Sequence, residues 1–387
     1  MSIWKTDRQK FGELLLEELR QNCSINKEGR LQYIGGFGLT SFDLLAECLK
    51  TPNISGISNK DICIEQIIKD VIEHLLTENI SINEQNFCLK FNHFLKRKKY
   101  ISTTKYQIVI EAFAQIQKKY NFHLEDCEIS IITKKFPKKL FLLDFDSFLA
   151  NTIFIVNCDA SCSENAFHKA MQAINLCRAI IHISQESKWK MDVEESLFKP
   201  FNPIMLGKHY YVLEENIGHI KRFKRVNFSY DSSSQSEIKL TAKAIKGSLE
   251  IISKLDLIKA SNTNYYYFLT GSLVQLIKAL ETLDLTNALP LMWGAIETIL
   301  KKVDGDKYDV LIERCSSLYS NKFKVKNLLT LIKEHRNNFV HNGKENIKLT
   351  KLFLIELEKI HRDLFYFHLN NALSGGTFEK GIQQLSS

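Results

Sequence analysis

An arginine and a histidine stand five residues apart near the end of a predicted helix. Arg336 and Asn337 begin this R-N-x-x-x-H pattern, and His341 closes it. Arginine carries a permanent, forked positive charge that suits phosphate oxygens. Histidine titrates near neutrality and can therefore accept or donate a proton, while asparagine can hold a phosphate or fix the imidazole. Together these side chains have the chemistry needed to cleave an RNA backbone.

The cleavage that these residues favour needs no metal ion and no other cofactor. The chain contains no HExxH motif, and the Asp144 and Asp146 pair is better explained by a solvated strand face than by a metal site. The ribose 2′-hydroxyl would attack the adjacent phosphate and leave a cyclic phosphate end. One histidine cannot easily serve as both acid and base in a single in-line displacement, so two copies of the chain in a symmetric dimer could divide the roles.

The spacing of the motif sets a geometric condition on any shared site. Residues five apart on a straight α-helix lie about 140° apart, so Arg336 and His341 converge only if the helix frays or ends between them. Asn337 and Asn338 weaken a helix interior, and Asn342 with the glycine that follows it favours a left-handed stop. The sequence therefore predicts that His341 lies on the terminal turn, where it could swing toward Arg336.

The hexapeptide alone is weak evidence for catalysis. From composition, it should occur by chance in about one such chain in twenty-five. The alternative interpretation is an arginine and a histidine that stabilise the dipole at a helix C-terminus.

Three basic clusters, each containing or adjoining an aromatic residue, are spread along the chain. They cover residues 96–100, 134–139 and 221–225. Phosphate neutralisation and base stacking use this mixture of side chains, and a net charge of +8 is compatible with nucleic acid as partner. The alternative is a solvated, lysine-rich surface. The predicted RNA contacts are Lys221, Arg222, Lys224, Arg225, Asn342 and Lys344.

Composition excludes several classes of protein. The chain has 387 residues, of which 44% are hydrophobic, and a mean hydropathy of −0.16, which is typical of a globular protein rather than a disordered one. No uncharged apolar stretch of about 18 residues predicts a membrane span, and no leader peptide is evident, so we expect a cytoplasmic protein. The nine cysteines are scattered without a CxxC pair, which indicates reduced and mostly buried thiols.

The first 230 residues predict a mixed α/β domain. Helical spacing of apolar residues covers 8–21, 62–76, 105–120 and 163–183, and a further helix is expected to start at Ser41. Short β-branched stretches at 127–133 and 152–157 predict strands, with weaker strand candidates at 210–213 and 225–230.

A polar, serine-rich connector at residues 231–236 predicts a domain boundary. Beyond it, residues 237–387 predict a helical bundle, so the expected fold class is mainly α: a mixed α/β N-terminal domain over 1–230 followed by this bundle. The predicted helices of the bundle cover 238–257, 265–283, a segment that Pro290 opens, 308–319, 325–339 and 347–369. His361 and His368 lie two turns apart on the last helix, where packing or exposure is a better explanation than metal binding.

This setting resembles a HEPN domain, the helical bundle of many prokaryotic RNases, toxins and antiviral effectors. The family signature is an arginine followed, after four to six residues, by a histidine, and Arg336, Asn337 and His341 match it. Residues 291–298 resemble the helix of Apea-like HEPN proteins whose glutamate faces the motif arginine, which implies that role for Glu297. An ordinary surface glutamate is the alternative for that position.

The resemblance implies a homodimer with a composite RNase site, often in phage defence or in a toxin–antitoxin system. It therefore implies RNA as substrate, an antitoxin or a phage trigger as possible partners, and no membrane. Under this hypothesis Arg336 stabilises transition-state charge, His341 does acid–base work, Asn337 positions the phosphate and Glu297 orients Arg336. A competing hypothesis is a non-catalytic RNA- or nucleotide-binding scaffold that serves a partner enzyme, and a third is an interaction domain whose motif is a helix cap.

Overall fold

The structure is a computed structural model, and it describes the greater part of the chain. The described residues are 3–27, 31–33, 38–50, 64–96, 103–133, 152–185, 204–214, 220–224, 238–282, 284–301, 306–342 and 347–385. Contacts divide the chain into two compact units. The first comprises residues 1–108, 157–169 and 212–221, and the second comprises 109–156, 170–211 and 222–387. The predicted connector at 231–236 lies outside the described residues.

Four helices and a small hairpin form the first unit's core. The helices are α1 (Gln9–Asn22), α2 (Gly38–Cys48), α3 (Ile64–Thr77) and α4 (Glu84–Leu95), and the antiparallel hairpin pairs β1 (Cys23–Ile25) with β2 (Leu31–Tyr33). Their apolar faces meet around fully buried Leu19, Leu45 and Ile68. Trp4 is also buried, and its indole N–H donates to Glu84 Oε1 at 2.8 Å. The predicted helices at 8–21 and 62–76 are confirmed, whereas α2 begins three residues before the predicted Ser41.

A β-sheet contributes to the second unit. In chain order its strands are β3 (Thr104–Gln115), β4 (Tyr120–Leu124), β5 (Cys127–Thr133), β6 (Thr152–Ala160), β7 (Met205–Glu214) and β8 (Ile220–Lys224). Their order across the sheet is β4-β5-β6-β3-β7-β8, and the short β9 (Ile238–Lys239) pairs with β3 in parallel. The strands predicted at 127–133 and 152–157 are confirmed, and the candidate at 210–213 is part of the longer β7. The candidate at 225–230 lies outside the described residues.

The helix predicted over 105–120 is wrong, because this segment is strand β3. Its residues from Ile108 to Ala114 are all buried, as befits a strand within the sheet that is covered on both faces. Such a strand loses the alternation that usually marks it, since apart from Glu111 both sets of buried side chains are apolar. The β-branched run Ile108-Val109-Ile110 was the signal for a strand, and its apolar residues also satisfied a helical template.

A two-residue turn joins β4 to β5 with a strained backbone. Glu125 and Asp126 both have positive φ, of 51° and 57°, a conformation that suits glycine or asparagine. Side chains of the helical region contact this turn. The Tyr266 hydroxyl donates to Glu125 Oε1 at 2.5 Å, and Lys259 lies 3.7 Å from Asp126 and above the Tyr266 ring.

Helices make up the rest of what the structure describes of the second unit. These are α5 (Ser163–Ser184), α6 (Ala242–Ser261), α7 (Thr263–Glu281), α8 (Leu285–Leu300), α9 (Tyr308–Ser317), α10 (Lys322–Asn342), α11 (Ile347–Leu373) and α12 (Phe378–Gln384). The part of α5 that belongs to this unit begins at Ala170. The prediction of a mainly helical C-terminal region is confirmed, as is the helix predicted at 163–183. None of the helices within the described ranges has both the length and the apolar character that a membrane crossing requires.

Two predicted helix starts are displaced. The helix expected from residue 238 begins at Ala242, because Ile238–Lys239 pairs with β3 and the Thr241 side chain accepts a hydrogen bond from the Ala244 N–H as an N-cap. Pro290 does not open α8 but lies inside it. The turn before the proline contributes buried Leu285 and Leu289 to the core.

A buried ionic network joins α5 to α11 in the second unit. Glu358 is fully buried, and its Oε1 lies 3.1 Å from His182 Nε2 and 2.6 Å from Arg362 Nη2. Burial would raise the pKa of Glu358, but the hydrogen bonds and positive charge of His182 and Arg362 outweigh it and lower that pKa to about 2. Arg362 Nη1 also donates to the carbonyls of Ile183 and Gln185, at 2.5 and 3.0 Å, and thereby caps the C-terminal end of α5.

His361 and His368 are both fully buried on α11. His361 Nε2 lies 2.6 Å from the Ser272 hydroxyl, and His368 Nδ1 lies 2.7 Å from the Tyr265 hydroxyl. Desolvation by burial lowers the pKa of each histidine to about 4. The packing explanation for this pair is therefore confirmed, and both side chains join α11 to α7.

Candidate functional site

Helix α10 carries both ends of the R-N-x-x-x-H motif. It extends without interruption to Asn342, so it neither frays nor ends between Arg336 and His341. The condition for convergence within one copy is therefore not met, and the helix predicted over 325–339 ends later, at Asn342, whereas the placement of His341 on the last turn is confirmed. On a continuous helix these two positions lie about 140° apart around the axis and about 7.5 Å apart along it. The His341 and Asn342 side chains, and all of Lys344, lie outside what the structure describes.

The Arg336 side chain is held by one aromatic residue from α9. Its Nη1 donates to the Tyr308 hydroxyl at 2.5 Å, and its guanidinium carbon lies 5.1 Å from the centroid of the Tyr308 ring. The same residue thus provides a hydrogen-bond acceptor and a cation–π platform. The Nε atom of Arg336 is buried and has no hydrogen-bond partner among the described residues.

Glu297 lies behind this pair rather than against the arginine. Its Oε1 accepts a 2.7 Å hydrogen bond from Trp293 Nε1, and its Oε2 lies 3.7 Å from Lys301 Nζ. The Trp293 ring packs against the Tyr308 ring, with centroids 5.7 Å apart. Glu297 is therefore linked to Arg336 through two aromatic rings, and the direct contact expected from the sequence is not among its described interactions.

Arg336 differs in its partner from the other arginines whose side chains are described in the second unit. Arg178 pairs with Glu281, Arg314 with Asp306 and Arg362 with Glu358, at 3.3, 2.6 and 2.6 Å. No carboxylate within the described residues pairs with Arg336. Its partner is a neutral phenol, so no carboxylate among the described residues compensates the positive charge of Arg336, which can attract an anion.

The neighbours of Arg336 on α10 are engaged elsewhere. His335 Nε2 lies 2.8 Å from the Thr350 hydroxyl, and its ring packs edge-on against Phe353 of α11. Lys333 forms a 2.7 Å ion pair with Asp309 of α9. Asn337 is half-buried. These contacts fix the orientation of the helix around Arg336 without placing another charge on it.

The predicted RNA contacts away from the motif receive limited structural description. Lys221, Arg222 and Lys224 belong to β8, where only the backbone is described, and Arg225 lies outside the described residues. The cluster at 134–139 is likewise outside them. Whether the three basic clusters share one face therefore stays a prediction.

Tyr308 and Trp293 are the site residues that sequence reasoning missed. Trp293 and Glu297 stand four apart on α8, which is a spacing that brings side chains together on a helix. Tyr308 has no comparable signal, because its contact with Arg336 spans 28 residues and depends on the packing of α9 against α10.

No protein-family model, no curated protein and no solved structure matches this chain. Within the described ranges, no group of three or more His, Cys, Asp or Glu side chains is arranged to hold a metal ion. None of the eight cysteines in those ranges forms a disulfide, and six of them are buried.

Proposed function

We propose that the chain is a metal-independent endoribonuclease of HEPN type whose phosphate-binding residue is Arg336. The observation that carries the proposal is the state of this arginine: it is half-buried, oriented by Tyr308 and, among the described residues, not neutralised by a carboxylate. Such a cation suits a phosphodiester, whose non-bridging oxygens accept from the guanidinium fork. The electrostatic contribution would grow as negative charge develops on the phosphate.

In the proposed reaction the ribose 2′-oxygen attacks the adjacent phosphorus and the bond from phosphorus to the 5′-oxygen breaks. A base removes the proton of the 2′-hydroxyl, and an acid protonates the departing 5′-oxygen. The products are a 2′,3′-cyclic phosphate end and a 5′-hydroxyl end. His341 is the residue we assign to this proton transfer, and Asn337 is assigned to positioning the phosphate.

The course of α10 supports a site shared between two copies of the chain. Arg336 and His341 face directions about 140° apart on one helix, so a single phosphate is reached more readily by Arg336 of one copy and His341 of another. A two-fold dimer would also supply two histidines, one to act as base and one as acid. We therefore expect the active species to be a homodimer.

The test is cleavage of RNA by the purified full-length chain in EDTA. Wild type is expected to cut a structured RNA and to leave cyclic phosphate ends, which block 3′ ligation and resist a phosphatase until acid opens the ring. Arg336→Ala and His341→Ala are each expected to lower the rate by at least 100-fold. A requirement for magnesium, or a monomer at the assay concentration, would contradict the mechanism.

Two matched variants separate the site from general damage. Lys333→Ala removes a neighbouring cation of α10 that Asp309 already neutralises, and His123→Ala removes an exposed histidine of β4. Both are expected to cleave at the wild-type rate. Equal losses in these variants and in Arg336→Ala would indicate that the effect is not specific to the motif.

The second candidate function is a non-catalytic RNA- or nucleotide-binding scaffold. The observation in its favour is the same unbroken helix, because within one copy positions 336 and 341 lie about 140° apart around its axis. Under this alternative we expect wild type and His341→Ala to bind RNA equally tightly and Arg336→Ala to bind it more weakly. None of the three proteins should cleave the RNA.

The biological setting we propose is phage defence or a toxin–antitoxin system, with an antitoxin or a phage trigger as partner and a mixed α/β N-terminal region that recognises substrate or signal. Induced expression in a bacterial host tests it. Wild type should arrest growth, alone or upon phage infection, and Arg336→Ala should not. Normal growth of both strains under both conditions would contradict this setting.

A further inference from the structure

We propose that Tyr308 is the positioning residue of the Arg336 site. This inference deepens the proposed function and rests on it, since it concerns how the phosphate-binding arginine is oriented. Tyr308 stands at the start of α9 and reaches Arg336 in the last third of α10. No other described side chain forms a hydrogen bond with the Arg336 guanidinium.

Tyr308 restricts Arg336 in two ways at once. The centroid of the ring lies 5.1 Å from the guanidinium carbon, and this contact limits how far the guanidinium can move away from the ring. The hydroxyl accepts from Nη1 at 2.5 Å, which limits how the fork rotates. A free arginine side chain samples many rotamers, and ordering it on a substrate would cost conformational entropy. With these contacts, that ordering is already present before an anion binds.

The tyrosine is itself held from behind. Trp293 is almost fully buried, and its ring packs at 5.7 Å from that of Tyr308. Glu297 accepts from the Trp293 indole N–H at 2.7 Å, which fixes the rotation of the indole. The order of support therefore runs from Glu297 to Trp293, then to Tyr308 and finally to Arg336.

The choice of a phenol has an electrostatic consequence. Arg178, Arg314 and Arg362 are oriented by carboxylates, which compensate their charge. A carboxylate at the Tyr308 position would compete with a phosphate for the same guanidinium N–H groups. Tyr308 orients Arg336 through a neutral acceptor and a π face, so the positive charge is left for the incoming anion.

The kinetic test uses the full chain and a defined RNA substrate. Tyr308→Phe keeps the ring and removes the hydroxyl, and it should lower kcat about tenfold, the factor that one modest hydrogen bond represents. Tyr308→Leu removes both contacts and should lower kcat about 100-fold. KM should change less than threefold in both variants. In an Arg336→Lys background the Tyr308→Phe change should have almost no effect, because the partner of the hydroxyl is gone.

A spectroscopic measurement tests the contact itself, with no reliance on cleavage. NMR of ¹⁵N-labelled arginine reports the rotation of each guanidinium group. In wild type the Arg336 group should rotate slowly and give separate Nη signals, and in Tyr308→Phe these signals should merge. If the signals merge as expected but wild type cleaves no RNA, the proposed function fails while the positioning role stands.

Tyr319→Phe is the matched control. Tyr319 follows α9 in the chain, and its hydroxyl donates to Asp363 Oδ2 at 2.9 Å. The variant therefore loses a tyrosine hydrogen bond that does not involve Arg336. It should cleave like wild type and leave the Arg336 signals unchanged. The proposal is overturned if Tyr308→Phe cleaves like wild type, if it lowers kcat equally in the Arg336→Lys background, or if the Arg336 signals do not respond to it.

Discussion

The guanidinium of Arg336 donates to the hydroxyl of Tyr308 at 2.5 Å and lies over its ring. A carboxylate from Glu297 was the partner expected from the sequence, yet that side chain accepts from Trp293 instead. The difference matters for mechanism, because a neutral acceptor does not compensate the positive charge of the arginine. It also changes what a substitution at Glu297 should do.

Glu297 is expected to act as a hydrogen-bond acceptor and not as a charge. Glu297→Gln keeps an amide oxygen for the Trp293 N–H, so we expect RNA cleavage within about twofold of wild type. Glu297→Ala removes the acceptor, frees the indole and should lower cleavage by about tenfold. Steady-state rates of the two variants decide the matter: an equal loss in both would show that the negative charge is what the site requires.

Acid should destabilise the fold through the two buried histidines of α11. Their folded-state pKa of about 4 lies below the ordinary value of 6.5, so the unfolded chain takes up protons that the folded chain does not. Stability is therefore expected to fall as the pH drops from about 6.5 toward 4, by roughly 1 kcal/mol per histidine between pH 7.5 and 5.5. Urea unfolding at several pH values measures it.

His368→Gln provides the control for this pH effect. It keeps a neutral polar group beside Tyr265 and removes one of the two titrations, so the change in unfolding free energy between pH 7.5 and 5.5 should shrink by about half. A pH dependence that is identical in wild type and in this variant would contradict the assignment.

Glu358 should contribute strongly to stability at neutral pH. Glu358→Gln leaves Arg362 and His182 facing a neutral group in a buried setting, and we expect a loss of about 3 kcal/mol in the unfolding free energy. Since the pKa of Glu358 is lowered to about 2, the contribution is fully present above about pH 4.5 and is lost as the pH falls toward 2.

Glu356→Gln is the matched variant for that measurement. Glu356 lies on the same helix in an exposed pair with Lys359, and such pairs contribute little. Its free energy of unfolding should stay within about 0.5 kcal/mol of that of wild type. The network would have no special role if both glutamates gave the same small change.

Relief of backbone strain should stabilise the β4–β5 turn. Asp126→Gly removes a positive-φ penalty on the order of 1 kcal/mol and loses only an exposed ion pair, so we expect a gain of about 0.5 kcal/mol in the unfolding free energy. Glu125→Gly relieves similar strain but loses the hydrogen bond from Tyr266 and should be less stable than Asp126→Gly. The opposite ranking in thermal unfolding would count against this account.

Amphipathic elements were predicted from the sequence where one face is apolar and the other polar. The helices at 8–21, 62–76 and 163–183 and the strand at 127–133 all have such a pattern, and each is confirmed. Strand β3 was not predicted because residues on both of its faces are buried and, apart from Glu111, apolar from Ile108 to Ala114. Helix α4 is missing from the predictions although Phe87, Phe91 and Phe94 are spaced as on a helix and Asn83 caps it.

The same distinction applies to the candidate site: features set by local sequence could be predicted, and features set by tertiary packing could not. The motif on α10 and the terminal-turn position of His341 follow from local sequence. The Tyr308 contact does not, because it is made between two helices whose packing no short pattern encodes. The β4–β5 turn escaped prediction for a related reason: its Glu-Asp pair lacks the Asn-Gly signature, and its conformation depends on distant Tyr266.

The cap that Arg362 places on α5 has a consequence for how the protein is made. The carbonyls of Ile183 and Gln185 lie 179 and 177 residues before their donor. At a synthesis rate of ~5–20 residues per second, the ribosome needs roughly 10–35 s to produce Arg362 after α5 is complete. Over that interval water must solvate these two carbonyls, so the C-terminal end of α5 receives its protein cap only once α11 has been made.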